Sequence, residues 1–303
     1  MGSVFPLTEI SQVIHEAVAS LALPPSFFSL LLLPLQQPGK VLHSADDVPL
    51  WPAIVLATGV ATGADPRIAI RVAAANEIFM AGLDVLDEVE DNDQSTLIDV
   101  AGVPRAINTG TALLLIAQRL LLTLPAHGAP IEQSIALTSI LTEAGIHATG
   151  GQDTDLATST GQQTSSAEAL AIARAKSGAL VAGTAKLGAR VGTADPALLA
   201  LYHQWGEHFG TLLQIANDIG DATSETKSDA AQRKATLPLI FARGEEREGA
   251  SNVTQETLKK SGAFHFAWVV REIERQHCES LLVDLAARGQ RVDRLHALLA
   301  WLG

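Results

Sequence analysis

The sequence predicts an all-α protein. Alanine and leucine dominate, apolar residues recur every three or four positions, and no stretch sustains the alternation that is typical of β-strands. Hydrophobic residues make up 47% of the 303 residues, which is ample for a sizeable core. Because no change of composition and no Gly/Ser-rich linker divides the chain, residues 1–303 are predicted to form a single domain.

Proline, glycine and polar clusters divide this helical pattern into segments. The breaks fall at residues 24–25, 36–39, 63–66, 102–104, 125–130, 161–166, 192–196 and 223–232. They predict helices mostly of about 15 to 30 residues. Ser165 and Glu168 have the spacing of a capping box, which predicts a helix start and a segment reaching Val191. Asp195 before Pro196 predicts the start of the next helix.

The segment between the breaks at 63–66 and 102–104 contains a row of acids at offsets of 0, 3, 4 and 7. This first acidic row consists of Asp84, Asp87, Glu88 and Asp91. At about 100° per residue, its side chains share an arc of roughly 100° on one helix face. Neighbouring carboxylates about 5.5 Å apart repel by about 0.8 kcal/mol in water and about 3 kcal/mol at an effective dielectric of 20. Such a face is usually only solvated, and the alternative is a hard cation such as Mg²⁺.

A second row repeats the same offsets 130 residues later. This second acidic row consists of Gln214, Asn217, Asp218 and Asp221. It is embedded among apolar residues, namely Leu212, Leu213, Ile215 and Ile219. Acids on a buried helix need partners, and two helices that face each other with such rows form a metal cage. The two rows together therefore favour metal binding over two solvated faces.

Charge and composition exclude several classes of protein. A net charge of −12 makes nucleic acid an unsuitable partner, whereas cations bound to carboxylates can turn an acidic cleft into a receptor for anions. The longest apolar run, at 27–35, is too short to span a membrane, and the start lacks a basic secretory signal. We expect a soluble, cytoplasmic protein. The single cysteine, Cys278, excludes an intrachain disulfide framework.

Five segments resemble the trans-isoprenyl diphosphate synthases of the polyprenyl synthetase superfamily. Residues 87–91 (DEVED) and 217–221 (NDIGD) resemble the two DDxxD motifs of that family. Residues 150–156 (GGQDTDL) are similar to GGQxxDL, Lys176 and Ser177 to a Lys-Thr pair, and residues 234–240 (KATLPLI) to KxTLPLI. The resemblance implies a single-domain helical bundle with a central active-site cavity, and a homodimer.

The same resemblance implies an enzyme that ionises an allylic prenyl diphosphate with about three Mg²⁺ ions. The implied catalytic residues are Asp87, Asp91, Lys176, Asp218 and Asp221. The implied metal ligands are Asp84, Asp87, Glu88, Asp91, Asn217, Asp218, Asp221 and Glu225. The implied substrate contacts are Gln152, Asp155, Lys176, Ser177, Gln214, Lys227 and Lys234. Considered alone, each of these lysines could equally be an ordinary surface side chain. Each glutamine could equally be a buried amide whose hydrogen bonds are satisfied within the protein.

Departures from the family concern the second substrate. Condensing members hold isopentenyl diphosphate with an N-terminal GGKRxRP segment, a histidine upstream of the first motif and an Arg-Arg pair after it. This chain has HSADDVPLWP at 43–52, Met80 at the histidine position and NDQST at 92–96. Binding an acceptor with three negative charges in an acidic site is costly when no cationic side chains compensate those charges. Residues 83–93, 217–218, 227–229 and 233–234 resemble the ComQ-type enzymes, which prenylate a peptide tryptophan.

Two other functions remain open from the sequence. Asn217, Asp221 and Glu225 have the spacing of the second metal motif of class I terpene synthases, and a prenyl diphosphate hydrolase needs the same ionisation. Aromatics are only 4% of the chain, which disfavours a cation-stabilising cyclase cavity. A non-catalytic partner subunit is the second alternative. Gly82 and Leu83 are not bulky aromatics, so donors from C10 to C20 are admissible.

Overall fold

α-Helices make up most of the structure. The computed structural model describes residues 6–43, 49–93, 95–158, 164–223, 236–245 and 255–302, and no β-strand occurs within these ranges. The predicted all-α class is therefore confirmed. None of the described helices combines the length and the hydropathy that a membrane span requires.

The described part of the chain contains fourteen α-helices. In chain order they are α1 (Leu7–Ala19), α2 (Pro25–Leu32), α3 (Leu50–Thr62), α4 (Pro66–Glu90), α5 (Thr96–Ala101), α6 (Val103–Leu122), α7 (Ile131–Thr158), α8 (Ser166–Ala173), α9 (Ala179–Gly192), α10 (Pro196–Thr223), α11 (Leu237–Glu245), α12 (Gln255–Lys260), α13 (Ala263–Ala287) and α14 (Asp293–Trp301). Between α8 and α9, Arg174–Gly178 forms a π-helical segment.

The backbone divides into two compact units. Unit 1 comprises residues 1–142, 184–199 and 290–295, and unit 2 comprises residues 143–183, 200–289 and 296–303. The single-domain organisation of residues 1–303 stays a prediction.

α4 is the central helix of unit 1 and packs against α1, α3 and α6. Pro66 is its first residue, and the Asp65 carboxylate caps it by accepting a hydrogen bond from the Arg67 N–H at 2.8 Å. α4 and α6 approach closely where Gly82 and Gly110 meet, since a Cβ at either glycine would lie 3.0 Å from the carbonyl oxygen of the other. This contact fixes the position of the helix that carries the first acidic row.

Unit 2 has a core built from α8, α10, α11 and α13. Its buried members are Ala169, Ile215, Ile219, Leu237, Ile240, Ala267 and Val270. Ile215 and Ile219 are the apolar neighbours of the second acidic row, so burial of this helix face is confirmed. Burying a side chain of this size contributes about 1.5 to 3 kcal/mol, which holds α10 in a defined rotation.

The predicted helix starts are confirmed. Ser165 and Glu168 form both hydrogen bonds of a capping box, at 2.7 and 3.2 Å, and α8, the π-helical segment and α9 follow without a break to Gly192. At the start of α10, the Asp195 carboxylate accepts a hydrogen bond from the Ala197 N–H at 2.8 Å. Each capping bond satisfies a backbone donor that the helix itself leaves unpaired.

The predicted helix lengths are only partly right. α4, α6, α7, α10 and α13 have 20 to 28 residues, as expected. The other nine described α-helices have 6 to 14 residues, so the expectation of mostly long helices is wrong. The break between α4 and α5 was not predicted: α4 ends at Glu90, and the nearby Asn92 has a φ of +53°. A residue in this left-handed region cannot continue a helix.

Candidate active site

The first acidic row occupies the C-terminal end of α4, as its spacing predicts. Asp84, Asp87 and Glu88 lie in the last two turns, and Asp91 is the C-cap residue, whose N–H donates a hydrogen bond to the Asp87 carbonyl oxygen at 2.9 Å. Val85, on the face beside the row, is buried with residues of α2, α5 and α6. The row is therefore a helical face held in place by packing beside it.

Lys40 is a partner of this row that the sequence did not reveal. Its Nζ lies 2.5 Å from Asp84 Oδ2, and the neighbouring Val41 N–H donates a hydrogen bond to Glu77 Oε1 at 2.9 Å. Glu77 is completely buried. Burial alone would lower the pKa of Lys40, but attraction to Asp84 and Glu77 outweighs it and raises that pKa. Burial raises the pKa of Glu77, against the attraction of Lys40.

Glu88, in the first row, has a raised pKa. Burial raises its pKa, a hydrogen bond with the Ser95 hydroxyl opposes this, and repulsion from Asp84, Asp93 and Asp87 raises it further. Ser95 is buried and also caps α5, since its Oγ accepts a hydrogen bond from Ile98 N–H at 3.4 Å. A bound cation would favour the charged form of Glu88 and oppose both effects that raise its pKa.

The second acidic row lies on the last three turns of α10, as predicted. Asp218 accepts two hydrogen bonds, from Gln214 Nε2 at 2.9 Å and from the Leu237 N–H at 3.1 Å. Burial raises the pKa of Asp218 to about 6 in spite of these bonds, and the charges of Asp221 and Asp155 add to the rise. Asn217 is exposed on the same helix. The row therefore contains a carboxyl group whose charged form is disfavoured by burial and by neighbouring acids.

The π-helical segment carries Lys176 and Ser177, which were predicted to contact substrate. Lys176 Nζ lies 3.6 Å from Asp155 Oδ2, and Ser177 Oγ donates a hydrogen bond to Gln214 Oε1 at 2.6 Å. π-Helical turns often occur at functional sites because they redirect side chains within a helix. No local sequence signal predicts this change of backbone conformation.

The double glycine of α7 explains how the segment approaches Asp155. A Cβ at Gly151 would lie 2.6 Å from Ala175 C and 2.7 Å from Lys176 N, whereas a Cβ at Gly150 would meet nothing within 4 Å. Only the second glycine is therefore required by packing. Gln152, which follows it, is buried.

Four of the five motif segments thus meet within unit 2. Asp155 comes from α7, Lys176 and Ser177 from the π-helical segment, Gln214 and Asp218 from α10, and the backbone N–H at the start of α11 completes the group. Carboxylate and amide oxygens beside a lysine are suited to a hard cation and a bound anion. The donor set therefore fits Mg²⁺ with a diphosphate.

Three predicted site residues, Glu225, Lys227 and Lys234, lie outside the described residues.

The structure also changes the interpretation of Gly82. Its small size is required by the contact with α6, so it is no evidence for the length of a prenyl tail. Met80, at the position of the family histidine, is a core residue that is 1% exposed.

Comparison with known proteins agrees with the resemblance in sequence. The polyprenyl synthetase family model matches residues 36–269. A geranylgeranyl diphosphate synthase of Mycobacterium tuberculosis is 30% identical over 256 residues, which cover 80% of this chain and 69% of that protein. A (2E,6E)-farnesyl diphosphate synthase of Mycobacterium bovis is 28% identical over 217 residues, which cover 67% of this chain and only 58% of that protein.

The fold agrees as well. The crystal structure of a polyprenyl synthetase from Streptomyces coelicolor A3(2) has a TM-score of 0.80 and 24% identity, and the alignment covers 97% of this chain and 96% of that chain. Because the family model covers well over half of the sequence, the chain belongs to the polyprenyl synthetase family and is a prenyltransferase.

Proposed function

We propose that this prenyltransferase ionises an allylic prenyl diphosphate of C10 to C20 with Mg²⁺ and transfers the prenyl group to an acceptor that carries no diphosphate. Both acidic rows supply ligands, chiefly through Asp87, Asp91, Asp218 and Asp221. Mg²⁺ bound there neutralises the charge that grows on the diphosphate as the C–O bond breaks.

The observation that carries the proposal is the convergence of motif residues in unit 2. Asp218 is held by Gln214 and by the start of α11, and its raised pKa marks a carboxylate that is poorly compensated without a cation. Lys176 lies beside Asp155, where its ammonium group can donate hydrogen bonds to the leaving diphosphate. The hydrogen bond between Ser177 and Gln214 orients the Gln214 side chain within the second acidic row.

The charges around the first row support an acceptor without a diphosphate. Lys40 is already paired with Asp84 and attracted by Glu77. Met80 contributes no charge, and Asn92 and Asp93, just after the first motif, are exposed and not basic. A trianionic acceptor at this part of unit 1 would therefore find no uncompensated positive charge in these groups.

The relatives with diphosphate synthase names support the donor chemistry rather than the acceptor. The similarity to ComQ-type enzymes makes a peptide side chain an admissible acceptor, and water is the other. We also expect a homodimer from the family resemblance. No observation among the described residues favours terpene cyclisation or a non-catalytic subunit, and Glu225, on which the terpene synthase motif depends, lies outside those residues.

The test is incubation of the full chain with Mg²⁺ and C10, C15 or C20 allylic diphosphates, with and without isopentenyl diphosphate. We expect Mg²⁺-dependent release of diphosphate without formation of a longer prenyl diphosphate, as measured by phosphate assay and mass spectrometry. An elongated diphosphate product would refute the proposed acceptor class and leave the donor chemistry intact.

Variants test the donor site separately. Asp87→Ala and Asp221→Ala should each reduce diphosphate release by at least about 100-fold, since each removes charge stabilisation from the leaving group. Glu90→Ala is the matched control because Glu90 is an exposed acid on α4 outside the row. Unchanged release in both row variants would eliminate the enzyme proposal.

A further inference from the structure

Unit 2 contains a second cluster of metal-ligating side chains, separate from the acidic rows. His208 of α10 and Glu274 and His277 of α13 place their potential ligand atoms within 4.8 Å of one another. Glu274 is only 1% exposed, whereas His208 is partly buried and His277 is exposed. A buried carboxylate with two imidazoles at the edge of the core requires a physical explanation.

We propose that His208, Glu274 and His277 bind one Zn²⁺ ion, with water as a further ligand. Two imidazole nitrogens and one carboxylate oxygen form a ligand set that Zn²⁺ favours, whereas Mg²⁺ prefers oxygen ligands. This site is independent of the proposed prenyl transfer, because none of its three ligands belongs to either acidic row.

The helix geometry places the ligands suitably. Glu274 and His277 are three residues apart on α13 and therefore project from one face of that helix. The ring centroids of His208 and His277 are 4.6 Å apart and the rings are tilted by 44°. Two ligands of a tetrahedral Zn²⁺ ion are about 3.3 Å apart. Binding therefore requires the His277 side chain to rotate inward, and it requires His208 Nδ1 and Glu274 Oε2, now 2.6 Å apart, to separate by roughly 0.7 Å. His277 can rotate because it is exposed.

Arg174 completes the arrangement. Its Nη2 donates a hydrogen bond to Glu274 Oε1 at 2.7 Å, while His208 Nδ1 lies 2.6 Å from Glu274 Oε2. Arg174 therefore compensates the buried charge and leaves Oε2 for the metal. The ion replaces the proton that lies between His208 and Glu274, and this proton passes to solvent.

The position of His277 distinguishes a metal site from a purely structural ion pair. Arg174 and His208 alone satisfy the two oxygens of Glu274. The ion pair is therefore complete without His277, whereas a metal ion needs a third protein ligand. Bound Zn²⁺ would join α10 to α13 and, through Arg174, to the π-helical segment that carries Lys176.

The experiment is a Zn²⁺ titration of the full chain, freed of metal by a chelator and then kept in excess Mg²⁺ so that the acidic rows are occupied. Competition with a chromophoric chelator should give one Zn²⁺ per chain, with a dissociation constant of about 1 µM or lower. Co²⁺, which is a spectroscopic substitute, should give the visible absorption of a tetrahedral site.

His277→Ala should weaken Zn²⁺ binding by at least about 100-fold without a change in the circular dichroism spectrum, because it removes a ligand from an exposed position. His265→Ala, which removes another exposed histidine of α13, should bind Zn²⁺ as the parent chain does. Absence of a stoichiometric Zn²⁺ ion, or equal binding by the parent chain and His277→Ala, would overturn the proposal.

Discussion

Replacing Gly151 by alanine tests the close approach between α7 and the Lys176 segment. The new Cβ would lie 2.6 Å from Ala175 C, 2.7 Å from Lys176 N and 2.9 Å from Ala175 O. All three are backbone atoms, so no side-chain rotation relieves the overlap. Gly150→Ala is a matched control in the same helix, because its Cβ would have no neighbour within 4 Å.

The size of the effect follows from two opposing contributions. Alanine stabilises a helix interior by about 1 kcal/mol relative to glycine, and both variants gain it. Restoring an ordinary contact of 3.4 Å at Gly151 requires a backbone shift of roughly 0.8 Å. Overpacking of this kind costs about 1 to 3 kcal/mol. We therefore expect Gly150→Ala to stabilise the protein, and Gly151→Ala to be less stable than Gly150→Ala by about 1 to 3 kcal/mol.

Urea unfolding of both variants measures this difference as a shift of the midpoint. Diphosphate release provides a second measurement, because a shift of the segment moves Lys176 relative to Asp155. A displacement of about 1 Å can cost about 100-fold in rate, whereas Gly150→Ala should retain activity. Equal unfolding midpoints for the two variants would show that the backbones are not as close as the structure has them.

Two further predictions concern charges. In metal-free protein the pKa of Asp218 is raised from 3.8 to about 6, so the stability that it contributes is present below pH 3.8 and is lost as pH rises through 6. The loss is about 3 kcal/mol. Asp218→Asn should abolish this part of the pH dependence when the free energy of unfolding is measured from pH 4 to 8 in the presence of a chelator. Identical pH profiles for the parent chain and the variant would contradict the prediction. Lys40→Ala should destabilise the protein by about 2 to 4 kcal/mol at pH 7 because Glu77 loses its compensating charge. The double variant Lys40→Met/Glu77→Gln should recover most of this loss, and a stable single variant would refute the role of the pair.

Local sequence signals predicted the helix starts well because their causes are local. A proline at the first position, as at Pro66 and Pro196, and a capping box at Ser165 act within one turn. The π-helical segment has no such signal. It lies where α10 approaches closely, since a Cβ at Gly210 would be 2.5 Å from the Ser177 carbonyl oxygen. Its backbone conformation therefore depends on residues far along the chain.

The same distinction holds for the candidate site. The spacing of each acidic row was sufficient to predict a shared helix face, because helix geometry alone determines it. Ser95 beside Glu88 and Lys40 beside Asp84 were missed, since these contacts depend on turns and tertiary packing rather than on spacing. Lys40 is 44 residues from Asp84 in the chain. A lysine next to a glycine gives no indication of which carboxylate it will reach.

Lys40 is paired with one member of the first acidic row, Asp84. A metal ion at Asp84 would therefore have to compete with the lysine. Lys40 in turn faces two acids, Asp84 and Glu77. If Glu77 is charged, the three groups carry a net negative charge, and if its raised pKa keeps it protonated, they are neutral. In neither case do Lys40, Asp84 and Glu77 together offer a net positive charge to a second diphosphate. An uncharged acceptor meets no such penalty, because it brings no charge that must be compensated.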